Sequence, residues 1–174
     1  MPGYNHIDLG TRDMEATRRF YEDVMGFPLA RADLVEVEGE GCYRHFFFDL
    51  GGGQLLGFFS AEDVAGAPAF DTSINRGLGV RDGTYHFAFQ ADSLAELDAI
   101  QKRLASHGVE VRGPYDHEGW SKSIYFKDPN GLQLEYCHLT RAFTPEDAKP
   151  VVRFRVDAKG QKTVLDPLAP ESRR

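Results

Sequence analysis

Two stretches of this chain begin alike and end alike, and an internal duplication constrains a fold more than any single motif. The first opens Tyr4-Asn5-His6-Ile7-Asp8-Leu9, passes through a helical stretch stopped by Gly26, and closes on Gly53-Gln54-Leu55-Leu56-Gly57. The second opens Thr84-Tyr85-His86-Phe87-Ala88-Phe89, passes through another helix stopped by Gly108, and closes on Gly131-Leu132-Gln133-Leu134-Glu135. The duplication makes His6 equivalent to His86 and Gly57 equivalent to Glu135. Three of these four positions hold residue types that ligate metals, and Gly57 holds nothing.

Periodicity supplies the elements between these landmarks. Asp13 caps a helix with Ala16, Thr17, Phe20, Tyr21 and Val24 on one stripe, and Ser93 with Glu96 forms a capping box ahead of Leu94, Leu97, Ile100 and Leu104. Aromatic and branched runs predict strands at Asn5–Leu9, Tyr43–Asp49, Gln54–Ser60, Tyr85–Gln90, Ser123–Phe126 and Leu132–Cys137. Gly51-Gly52-Gly53 and Asp128-Pro129-Asn130-Gly131 are turns. Each half therefore reads as strand, helix and about three strands. Such a half buries only one face of a small sheet, so two must pack together, and the duplicated positions would line a shared concavity.

The reading gives an α+β protein of two tandem βαβββ modules: module one at about 4–60, a connector at 61–83 able to cover the cleft, and module two at 84–140. Residues 141–174 form an arm and tail, with strands at Val151–Val156 and Thr163–Leu165, a turn at Asp157–Gly160 and a frayed end from Pro167 to Arg174. With 20 basic against 27 acidic residues and a net charge of −7, nucleic acid and anionic membrane are poor partners. No apolar run approaches a membrane span and the N-terminus lacks a signal pattern, so the default address is the cytoplasm. Cys42 and Cys137 lack C-x-x-C spacing, fit a reducing compartment and read as small core residues.

These residues resemble the vicinal oxygen chelate superfamily, which includes glyoxalases, extradiol dioxygenases and fosfomycin- and bleomycin-resistance proteins. The resemblance covers residues 4 to about 140 and rests on Asn5-His6-Ile7, Phe20-Tyr21, Met25-Gly26-Phe27 and the Asp128–Gly131 turn before Glu135. The run from His117 through Ile124-Tyr125 and Asp128-Pro129-Asn130-Gly131 to Glu135 is similar to the ring-cleaving extradiol pattern, departing at Tyr115. The resemblance implies a divalent metal held by His6, His86 and Glu135, with His117 and Tyr125 as catalytic residues managing protons beside it. Two imidazoles and one carboxylate leave open coordination positions, which suits Fe(II) in non-haem oxygenases, while Mn(II) or Zn(II) would accept the same donors. The expected substrate is a catechol-like small aromatic chelating through adjacent oxygens, and the expected assembly is a homodimer, which the arm after Arg141 could strengthen.

Other members of the family imply other chemistries: a glyoxalase-like isomerase or lyase, a thiol transferase, or a non-catalytic drug-sequestering protein. The chain departs from each pattern somewhere. Residues 61–85 lack the further acid–base histidine usual in extradiol enzymes, Gly57 stands where glyoxalase I carries a carboxylate, and Asp8 stands where fosfomycin-modifying relatives carry a threonine. Of the remaining histidines, His107 belongs to a helix end, and alternation turns His138 away from Glu135. His45 faces either the cleft or, as is commoner for such a residue, the outer surface. Trp120 with Phe46, Phe47, Phe48, Phe58 and Phe59 forms either an aromatic pocket or core.

Overall fold

The computed structural model describes residues 3–150, 152 and 154–165. Contacts divide the chain into two units, Met1–Thr140 and Arg141–Arg174.

In the first unit the duplication is explicit. Module one runs β1 (His6–Gly10), α1 (Met14–Arg19), β2 (Leu29–Val37), β3 (Gly41–Gly51) and β4 (Gln54–Ser60). After the short α2 (Ile74–Gly77), module two runs β5 (Phe87–Gln90), α3 (Leu94–Ser106), β6 (Arg112–His117), β7 (Ser121–Lys127) and β8 (Gln133–Leu139). The sheets have the orders β1-β4-β3-β2 and β5-β8-β7-β6, with the first pair parallel and the others antiparallel in each. These are two tandem βαβββ modules. Their registers agree too, since Asp8 lies opposite Gly57 and Ala88 opposite Glu135.

The strands absent from the sequence reading are β2 and β6, and both are sheet edges. Edge strands tolerate charge and proline because one side needs no partner. Arg31, Asp33 and Glu36 in β2, and Pro114 in β6, hide the alternation that marks the inner strands. The helices follow their caps: Asp13 Oδ1 accepts from Ala16 N at 2.8 Å, and Ser93 Oγ from Glu96 N at 3.1 Å. The first helix differs from expectation past Arg19, where Phe20–Val24 widens into a π-helical turn with Met25 N donating to Phe20 O. That widening lets the consecutive Phe20 and Tyr21 both enter the core, at 7% and 0% exposure.

One core serves both modules. Tyr21, Phe48 and Phe58 from the first form a continuous cluster with Leu104, Ile124, Phe126 and Tyr136 from the second, and Phe27 meets Phe89 edge-on at 5.2 Å. Cys42 and Cys137 are free and half-buried, outside this core, which corrects their reading as core residues.

A buried polar cluster joins the modules beside the core. Asn130 Oδ1 accepts from Thr11 Oγ1 at 2.7 Å, and Asn130 Nδ2 donates to Thr17 Oγ1 and Asp128 Oδ2 at 3.1 and 3.0 Å. Tyr21 OH also donates to Asp128 Oδ2, at 3.1 Å, and Leu132 N donates to Asp128 Oδ1 at 2.8 Å. Burial pushes the Asp128 carboxyl above its ordinary value against these donors, and pushes the Tyr21 phenol well up.

The connector does not cover the cavity between the modules, none of whose lining residues falls in 61–83. It is tied to module two at Thr72 Oγ1, which donates to Asn130 O at 2.9 Å, and at Asn75, which exchanges side-chain hydrogen bonds with the Tyr85 backbone. Phe70 packs against Gly10.

In the second unit β9 (Phe154–Val156) pairs antiparallel with β10 (Lys162–Val164) across a turn in which Asp157 accepts from Lys159 N and Gln161 N. Phe154–Val156 of the first expected strand is observed and the second lies one residue earlier than expected; Val151, Arg153 and the tail from Asp166 onward lie outside the described residues.

Tyr21→Phe is expected to destabilise the chain by about 1–3 kcal/mol, because it removes a donor from a buried carboxylate. Asn130→Ala should cost more, since it strands Thr11, Thr17 and Asp128 together. Urea titrations of both variants check the order, and equal midpoints for the two would contradict the role given to Asn130.

Candidate metal centre

On the second sheet four expected residues come together. His86 sits just before β5 with its Nε2 3.2 Å from Oε2 of Glu135, which is 6% exposed. His86 Nδ1 donates to Gly83 O at 2.9 Å. A carbonyl only accepts, so in the neutral ring Nδ1 carries the hydrogen and Nε2 is a bare lone pair turned toward Glu135. Tyr125 lies opposite Glu135 in the β7–β8 register. Burial, with the Glu135 charge second, pushes its phenol up to about 12, and its hydroxyl shares a hydrogen bond with His117 Nε2 at 3.0 Å. The result is a line of functional groups across the strands: His86, Glu135, Tyr125, His117.

His6 lies on the first sheet. Its Nδ1 donates to Asn5 Oδ1 at 2.9 Å, which again leaves Nε2 free, and its ring stands edge-on to Phe47 at 5.8 Å. The two histidines thus present the same nitrogen, each through a local acceptor. Their sites are separate, however. Among the described residues no three His, Cys, Asp or Glu side chains form a group that could hold a metal ion. A cavity of about 1230 Å³ between the modules, lined by Ile7, Phe27, Leu56, Phe89, Ile100 and Arg103 among others, has His86 at its edge but not His6 or Glu135. The chain therefore presents its expected donors on two faces, two on one and one on the other.

The donors present fit a divalent metal in kind. A bare imidazole nitrogen and a carboxylate oxygen held together are two electron pairs that call for positive charge, and a carbonyl fixing the imidazole from behind is the usual support of a metal-binding histidine.

Alternation sorts the other candidates. His45 lies on the face of the first sheet away from the core, with Phe47, where its Nε2 bonds Asp8 Oδ1 at 2.9 Å. Of the phenylalanines, Phe48 and Phe58 are core and Phe46 packs against it, while Phe47 and Phe59 flank His45. Trp120 lies 5.8 Å from the His117 ring. His107 caps α3, and His138 Nδ1 donates to Ala91 O at 2.9 Å on the face away from Glu135. The Asp8–His45 pair escaped the sequence reading. The available signal was Gly57 itself, because a glycine inside a strand marks a close approach.

Comparison with known proteins agrees with the paired-module fold. The chain is 30% identical over 148 residues to biphenyl-2,3-diol 1,2-dioxygenase 2 of Rhodococcus globerulus, covering 84% of this chain and 67% of that one. It is 30% identical over 134 residues to metallothiol transferase FosB of Bacillus licheniformis, covering 76% and 73%. The crystal structure of lactoylglutathione lyase from Agrobacterium tumefaciens superposes with a TM-score of 0.55 at 27% identity, over 79% of this chain and 94% of that one. The family model described as Glyoxalase/Bleomycin resistance protein/Dioxygenase superfamily matches residues 3–136. With its paired modules, matching registers and repeat-related donors, the chain belongs to that superfamily, the vicinal oxygen chelate proteins.

Proposed function

We propose that this chain is a divalent-metal-dependent enzyme of the extradiol dioxygenase type, acting on a catechol-like small aromatic through its adjacent oxygens. The observation that carries this reading is the line of His86, Glu135, Tyr125 and His117 on one sheet face, where metal donors stand beside a hydrogen-bonded phenol–imidazole pair. The 30% identity to a biphenyl-diol dioxygenase supports it. His6, His86 and Glu135 are the proposed ligands, with Fe(II) the favoured ion and Mn(II) or Zn(II) alternatives.

The donors lie on two faces of one chain, so the proposed site forms between two copies: His6 of one meets His86 and Glu135 of the other. A two-fold pairing makes two such sites at once. The metal would supply Lewis-acid activation and a place to bring O2 beside the ring. The chain's own residues do the rest. Gly83 and Asn5 hold the imidazoles with Nε2 outward. Tyr125, kept protonated, donates to an oxygen of the bound molecule, and His117 behind it takes up or returns the proton at Nε2.

A second reading has its own support. Metallothiol transferase relatives are equally similar in sequence, so transfer of a thiol to a small oxygen-bearing substrate is the alternative. It needs no O2.

Changing His6, His86 or Glu135 to Ala should lower metal affinity by at least about tenfold each while the chain stays folded, as expected for one of three ligands. Mixing His6→Ala with Glu135→Ala chains should restore metal binding to about a quarter of the sites, because random pairing makes half the dimers mixed and each mixed dimer has one intact site. Metal analysis after subunit exchange reads this. Full occupancy in all three single variants removes the trio, and no recovery on mixing removes the shared site.

Tyr125→Phe and His117→Ala should each cut the oxygen-consuming reaction by about 10²-fold or more without loss of metal, the range typical of a proton-transfer group. The assay supplies Fe(II) anaerobically, adds a panel of catechols, admits air and follows O2 uptake. Turnover of a thiol and an epoxide under nitrogen, with no O2 uptake by any diol, decides for the transferase.

A further inference from the structure

The position equivalent to Glu135 in module one is Gly57, and the structure shows what uses that gap. Asp8 lies opposite Gly57 on one side of β4 and Phe47 on the other, with His45 opposite Phe59 one step along. The Asp8 carboxylate leans over Gly57 and meets His45 Nε2 at 2.9 Å. A Cβ built at 57 would overlap Asp8 Oδ1 and press on the Phe47 ring. Gly57 is absent from the positive-φ positions, so its backbone does not demand glycine; the space does.

We propose that His45 is a catalytic residue which accepts the hydroxyl proton of the molecule bound at the metal, that Asp8 is its positioning residue, and that Gly57 is what allows the two to meet. This rests on the proposed metal at His6. A carboxylate only accepts hydrogen bonds, so His45 Nε2 carries the hydrogen and Nδ1 is left as a lone pair, with no side-chain partner among the described residues. Both side chains are reachable, at 27% exposure for His45 and 41% for Asp8. Phe47 at 4.2 Å and Phe59 at 5.7 Å flank the imidazole, and Tyr43 stacks on Phe59, so the pair sits in an aromatic surround. Phe47 contacts both His6 and His45, so the two imidazoles share one aromatic neighbour on the same sheet. When the substrate O–H breaks, the proton passes to Nδ1, and the imidazolium is stabilised through Nε2–H by Asp8 until the proton returns.

Two measurements test the pair. Nitrogen-15 NMR of the metal-free chain should show His45 in the Nε2–H tautomer, and Asp8→Asn and Gly57→Ala should each remove that preference. A wild-type ring in the Nδ1–H tautomer overturns the proposal. In the second, 4-nitrocatechol is added to Fe(II)-loaded protein and its deprotonation is followed by absorbance. His45→Gln should weaken this binding about tenfold, as expected for one lost hydrogen bond to an ionising group, while leaving bound iron unchanged. Equal binding in His45→Gln and wild type, with iron present in both, overturns His45 and spares the metal site. If neither protein binds iron the metal reading falls, and the same titration on metal-free chain decides His45, where equal binding or no binding overturns it.

Discussion

The two modules depend on one buried polar junction. Asp128 and Asn130 belong to a turn of module two, while Thr11, Thr17 and Tyr21 belong to the start of module one, and their hydrogen bonds satisfy one another where no water reaches. Neither half can satisfy these groups alone, so the polar cluster fixes the register in which the two apolar surfaces merge. Its orientation decides the rest. Because the modules join through the helix-covered faces, the opposite faces, carrying His6 on one sheet and Glu135 on the other, are left for something else.

The duplicated fold accommodates functional asymmetry at one pair of positions. Glu135 puts a buried carboxylate beside His86, while Gly57 puts open space beside Asp8. Both are next to the parallel strand pair that each module forms, and both sit across from an aromatic residue, Tyr125 or Phe47. The same backbone therefore carries charge in one copy and room in the other. At Gly57 the backbone has no positive φ, so what a side chain would displace there is the Asp8 carboxylate and the Phe47 ring.

Much of this was readable beforehand for a definite reason. Interior strands such as Gln54–Ser60 alternate against a core on one side, and helices announce themselves through Asp13 and Ser93, so their signals are local. The edge strands β2 and β6 carry charges and proline because half of their hydrogen-bonding groups face outward, and the pattern is lost there. Side-chain direction followed where alternation could be counted from an anchor, as for His138 relative to Glu135. It did not for His45, whose partner Asp8 lies 37 residues earlier and reaches it only because the strand between them has a glycine. Nor could repeat equivalence reveal that positions matched in sequence occupy separate faces, since a duplication specifies likeness and not adjacency.

The local anchoring of the two histidines has a consequence for the proposed shared site. His6 is held by its neighbour Asn5 and His86 by Gly83, three residues away, so each ring is oriented by its own segment before any other chain arrives. Rotamer freedom that would otherwise be surrendered at the moment of docking is already gone. In the proposed two-copy site, encounter would then be a collision of two finished half-sites, its rate governed by diffusion and surface fit rather than by a search through ring orientations.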